Sequence, residues 1–60
     1  MNALKQVVYI TDVRKGSGKR EHILYAHVRD ANTDEVLIAA TLEYCVKEAY
    51  ERYTVESGRH

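Results

Sequence analysis

The stretch Thr41-Leu42-Glu43-Tyr44-Cys45-Val46-Lys47-Glu48-Ala49-Tyr50-Glu51-Arg52-Tyr53 decides the fold. At about 100° per residue, Leu42, Cys45, Val46, Ala49, Tyr50 and Tyr53 fall on one stripe, while Glu43, Lys47, Glu48, Glu51 and Arg52 fall opposite. The spacing predicts an amphipathic helix over 42–54, begun by a Thr41 cap that accepts a hydrogen bond from the amide of Glu43 or Tyr44. Glu43–Lys47 and Glu48–Arg52 are i,i+4 pairs in the favourable order and add support. No other segment has a clear helical stripe, so this helix must cover one face of whatever precedes it. A continuous helix over 34–53 is the competing reading. It would point the apolar run 36–40 all around the axis, which a small domain cannot bury, so a strand ending at Thr41 is favoured.

Upstream of the helix the chain reads as strands. Residues 4–14 and 20–30 are rich in Val, Ile, Tyr and Thr, and 35–40 is a short apolar run. Lys15-Gly16-Ser17-Gly18-Lys19 reads as a flexible, solvated loop, and Asn32-Thr33-Asp34 as a turn. The tail 55–60 has no pattern and is expected to be loose. The fold class is therefore α+β: a three-stranded antiparallel meander with one C-terminal helix on one face, in a single domain.

Pairing about these loops sets Val8 opposite Ala26, Ile10 opposite Leu24, Val28 opposite Ile38 and Ala26 opposite Ala40. Alternation then sorts the sheet into two faces. The even-numbered face (Val8, Ile10, Leu24, Ala26, Val28, Val36, Ile38, Ala40) is wholly aliphatic, and the helix belongs there. The odd-numbered face holds Val7, Tyr9, Ile23, Tyr25, His27, Leu37 and Ala39, with Lys5, Thr11 and Arg29 near its edges and a Tyr9–Tyr25 cross-strand pair. Such a patch exceeds what scattered surface apolar residues explain. Val7, Tyr9, Ile23, Tyr25, His27 and Leu37 are thus the candidate protein interface.

Composition narrows the function classes. The chain has 60 residues, nine acids and nine bases, and a formal net charge of zero, so no global field draws it to nucleic acid or anionic membrane. A domain this small is marginal alone and is often helped by disulfides, metals or oligomers. The single cysteine, Cys45, closes no intrachain bridge and fits a reducing compartment. No signal peptide and no membrane-length apolar run is legible, so a cytoplasmic location is expected. The aromatic set is five tyrosines without Phe or Trp, which suits half-exposed faces and interfaces.

Catalytic and metal chemistry find little footing. His22 and His27 lie on opposite faces of one strand, His60 is in the tail, and Cys45 is on the buried stripe, so no ligand cluster is expected. Asp12, Glu21, Asp30, Asp34 and Glu35 sit toward strand ends and turns, and one sheet with one helix encloses no substrate pocket. Neither an enzyme nor a cofactor is expected. Arg14, Lys15, Lys19 and Arg20 concentrate four of the nine bases around two glycines. They read either as phosphate contacts or as a charged hairpin tip that discourages edge pairing. Gly16-Ser17-Gly18-Lys19 lacks the spacing of a nucleotide-binding loop.

These features point to a non-enzymatic binding module: a homodimer, or an inhibitor or adaptor docking on a larger protein through the odd-numbered face. A chain of this length is the size of many phage- and plasmid-encoded regulators. An alternative comes from the pattern of Tyr25-Ala26-His27-Val28-Arg29-Asp30-Ala31-Asn32-Thr33-Asp34-Glu35 followed by Val46-Lys47-Glu48-Ala49. That strand–turn–strand–helix pattern resembles the arm-binding amino-terminal domains of phage and transposon integrases. The resemblance implies that the open sheet face enters a DNA major groove, with Lys5, Tyr25, His27 and Arg29 at the DNA and the 14–20 loop at phosphate. Those domains tend to be basic, whereas this chain is neutral.

Overall fold

The computed structural model describes residues 5–56; residues 1–4 and 57–60, which include the first residue of the first expected strand and most of the expected tail, lie outside the described residues. Strand β1 is Val7–Lys15, a short 3₁₀ turn spans Gly18–Arg20, β2 is Leu24–Asp30, β3 is Val36–Thr41, α1 is Leu42–Arg52, and β4 is Thr54–Val55. The sheet order is β3-β2-β1-β4, with β1–β2 and β2–β3 antiparallel and β4 parallel to β1. Among the described residues the fold is α+β with one helix packed on a mixed sheet of four strands, one more than the sequence suggests.

The fourth strand takes Thr54 from the expected end of the helix and Val55 from the stretch expected to be loose. Tyr53 ends the helix in extended conformation, its amide still bonded to the Ala49 carbonyl at 3.0 Å. The chain then runs along the free edge of β1: Thr54 N–H donates to Gln6 O at 2.9 Å and Glu56 N–H to Val8 O at 2.8 Å. Two residues are too few for a periodic pattern, but Thr54 and Val55 are both β-branched and Val55 packs on the core.

The core is narrow and built from small side chains. Val8, Ala26, Val28, Cys45 and Ala49 are buried, with Ile10, Leu37, Ile38, Ala40, Leu42, Tyr53 and Val55 partly buried around them. Ala26 lets the helix come close enough for the Cys45 thiol to reach the Ala26 carbonyl at 3.4 Å. Burial raises the Cys45 thiol above its usual pKa, partly countered by its contact with the Ala40 carbonyl. The cap is as expected from sequence: Thr41 Oγ1 accepts from Tyr44 N–H at 3.2 Å.

Close seating also turns the helix. Its small side, Cys45 and Ala49, faces the sheet, so Val46 and Tyr50, expected to be buried, are exposed. Glu48, expected on the outer face, is buried at 7% exposure under the Arg52 guanidinium, whose Nε is 2.8 Å from Glu48 Oε1. Lys47 lies near Glu48 and Glu51 rather than pairing with Glu43.

Register differs from expectation in β1–β2 and agrees in β2–β3. Val8 faces Asp30 and Ile10 faces Val28, four positions from the expected pairs, because 3₁₀ structure and turns occupy 18–23 instead of strand. The shift is even, so Val8, Ile10, Ala26 and Val28 keep the face assigned to them. Val28 still faces Ile38 and Ala26 faces Ala40.

Candidate functional site

Two bulges decide what the uncovered face carries. Between Thr11 and Arg14, β1 has one more residue than β2, and Asp12 sits in left-handed conformation at φ 57°. Asp tolerates that region better than most residues. Alternation would put Asp12 on the helix side; the bulge brings its carboxylate onto the open face instead. Between β2 and β3, Val28 faces Ile38 but Arg29 faces Val36. Leu37 is the extra residue and packs against the core, while Val36 opposes Arg29 and is 40% exposed.

The open face is thus ordered in three cross-strand rows: Tyr9–Arg29–Val36, Thr11–His27–Ala39, and Arg14–Tyr25–Thr41. Among the described residues no element packs over it. An ion-paired network runs through its middle. Asp12 Oδ2 lies 2.8 Å from His27 Nδ1 and accepts from Arg29 Nε at 3.1 Å. Arg29 Nη1 donates to the Asp34 carbonyl oxygen at 2.7 Å and lies 3.7 Å from its carboxylate. The Tyr9 hydroxyl donates to Asp34 Oδ1. That bond to Asp34 raises the Tyr9 phenol, and the bonds from His27 and then Arg29 hold Asp12 below the usual carboxylate value.

Asp34 is placed by the β2–β3 turn, where it too is left-handed, at φ 68°. The turn is held by Asp30. Its Oδ1 accepts from Asn32 N–H at 2.7 Å and Thr33 N–H at 2.8 Å, and its Oδ2 accepts from the Gln6 side-chain amide. The Gln6 bond and then these amides depress the Asp30 carboxyl.

The residues chosen from sequence divide in this geometry. Val7, Tyr9, Tyr25 and His27 share the open face. Leu37 does not, for the reason just given. Ile23 precedes β2 and lines a hollow near the helix start with His22, Leu24, Thr41, Leu42 and Glu43. Tyr9 faces Arg29 and Tyr25 faces Arg14, so the expected Tyr9–Tyr25 pair does not form. Asp12, Asp34 and Val36 join the face unforeseen, Ala39 lies on it as expected, and Arg29 and Thr11 are central rather than peripheral. One signal for the bulge was legible: an aspartate inside Ile10-Thr11-Asp12-Val13 is out of character for a strand.

The basic loop is built rather than loose. Gly16 N–H donates to Ile23 O at 2.8 Å, Arg20 N–H to Ser17 O at 3.0 Å, and Ile23 N–H to Arg20 O at 3.0 Å. A Cβ on Gly16 would lie 2.4 Å from Arg20 O and 2.9 Å from Tyr25 Cε2, so only glycine lets ring and backbone close here. Arg14, Lys15, Lys19 and Arg20, with Gly16, Ser17 and Tyr25, line one open hollow of about 490 Å³. Among the described residues none of these four cations has a carboxylate within ion-pair distance. The hollow stands at the Tyr25 end of the open face.

Among the described residues no group of three or more His, Cys, Asp or Glu side chains is placed to hold a metal ion, and no helix is long and apolar enough to cross a membrane. No known family model, no curated protein and no solved structure matches this chain, so these residues alone carry the functional argument.

Proposed function

We propose that the chain is a non-enzymatic binding module that docks on a larger protein through the open sheet face. The observation that carries this is the uncovered face itself: an ordered polar row, Tyr9–Asp34–Arg29–Asp12–His27, flanked by exposed Val7 and Val36 and ending in the cationic hollow beside Tyr25. Two such faces packed on each other would desolvate Asp12, Arg29 and Asp34 against their own copies, a cost the pairing does not repay. A partner with acidic groups opposite the hollow and apolar groups opposite Val7 and Val36 avoids that cost. The test is capture from a lysate of the source cells with the parent chain and with Tyr25→Glu, identifying what each retains. A protein held by the parent and released by the variant supports the reading; equal retention contradicts it.

Nucleic acid is the second reading, favoured by one observation: four cations without a carboxylate partner among the described residues line one hollow with a tyrosine on which a base could stack. Its test is binding of single-stranded oligonucleotides at low salt, where phosphate contacts are strongest. Binding that is lost on charge reversal at Lys15, Lys19 and Arg20 supports it; no binding by the parent at low salt eliminates it.

A further inference from the structure

The two edges of the sheet are treated unequally. On one side β4 is only two residues long, and beyond it β1 is bulged and carries Asp12, Arg14 and Lys15. Short length, bulges and charges are the usual guards against strand addition. On the other side β3, Val-Leu-Ile-Ala-Ala-Thr, has no charge and no proline, and its one bulge lies at Leu37, leaving 38–41 in regular register with β2. Because α1 carries the chain away to β4 on the far edge, nothing in the described residues pairs with β3 on its outer side.

We propose that β3 is a self-pairing edge, joining two copies of the chain antiparallel across a twofold axis into one continuous sheet. Charge selects a second copy as occupant: a neutral strand meets no like-charge repulsion when set against itself, whereas the β1 edge would. The core supplies the drive. Leu37, Ile38 and Ala40 form its half-buried rim on this side, and the fully buried set beneath them is small, so covering that rim adds what a small domain lacks.

The geometry limits the register. An antiparallel twofold pairing at one edge has its axis perpendicular to the sheet, which puts both helices on the same face. Directly opposed residues then share a face, so the central residue must oppose itself. Within the regular part of β3 we place Ala39, which is exposed, on the axis; Ile38 then opposes Ala40, and the bulge at Leu37 ends the regular pairing. The open face stays free, so this pairing stands or falls independently of the docking reading.

Three variants measured by sedimentation, with circular dichroism to verify folding, test the proposal. The parent sediments as a dimer at micromolar concentration, and Ala39→Lys, which sets two cations on the axis, halves the mass. Tyr25→Glu keeps the dimer. As a second readout, Ala39→Cys forms a covalent dimer on mild oxidation, opposed Cα atoms in such a pair lying within disulfide reach, whereas Val13→Cys, also exposed but on β1, does not. A monomeric parent overturns the proposal, as does a dimer that survives Ala39→Lys or dissociates with Tyr25→Glu. Equal cross-linking at positions 13 and 39 also overturns it.

Discussion

Asp12 and His27 are brought together across a bulge: Asp12 Oδ2 lies 2.8 Å from His27 Nδ1, although strict alternation would put the two side chains on opposite faces of the sheet. The Asp12 carboxyl is held down first by the bond from His27 and then by that from Arg29. Replacing His27 with Ala should therefore raise the Asp12 pKa toward the usual 3.8, followed by carboxyl-carbon NMR titration. An Asp12 titration that does not move would mean the bulge does not hold the pair together.

Acid sensitivity should trace to Asp30. Its carboxyl is depressed in the folded chain, so the unfolded chain binds the proton first, and the sign follows. The contribution is fully present above the usual 3.8 and is lost as pH falls through the lower folded value. Urea midpoints across that range should fall steeply for the parent and less steeply for Asp30→Asn. The variant should be weaker than the parent at neutral pH, because the Asn32 and Thr33 amides lose a charged acceptor.

Thr41→Ala should cost about 1 kcal/mol in denaturant unfolding by removing the cap on the Tyr44 amide, and Thr41→Ser should recover most of it.

The two loop glycines should respond differently. Gly16→Ala has no room and should cost on the order of 1–3 kcal/mol while displacing the Tyr25 ring, seen as a changed ring resonance. Gly18 has open space around it but sits at φ +61°, so Gly18→Ala should cost about 1–2 kcal/mol for backbone strain alone. Gly18→Asn should be milder, since Asn tolerates that region.

Much of this architecture was legible because burial enforces parity. Val8, Ala26 and Val28 had to share a face with the helix whatever the β1–β2 register, and that face survived a four-residue shift. The helix start was legible because Thr41 offers a cap between two different periodicities. Bulges were legible only through Asp12, out of character inside a strand, since one inserted residue leaves the composition unchanged while moving Leu37 into the core and Asp12 out of it. The helix rotation escaped for a related reason. Hydrophobicity favours burying Tyr50, but the sheet's alanines favour close approach by Cys45 and Ala49, and packing prevails. Of the candidate site, the four cations were found from their clustering, while the Asp12–Arg29–Asp34 network depended on backbone geometry no pattern records.

The tyrosines offer the most direct test of the docking face. Tyr9 and Tyr25 lie on the open face, Tyr44 and Tyr50 are exposed on the helix, and Tyr53 is half-buried. Hydroxyl-radical footprinting of the chain alone and bound to its captured partner should protect Tyr9 and Tyr25 while leaving Tyr44 and Tyr50 as reactive as before. Protection of Tyr44 and Tyr50 with Tyr9 and Tyr25 unchanged would contradict docking through the open sheet face.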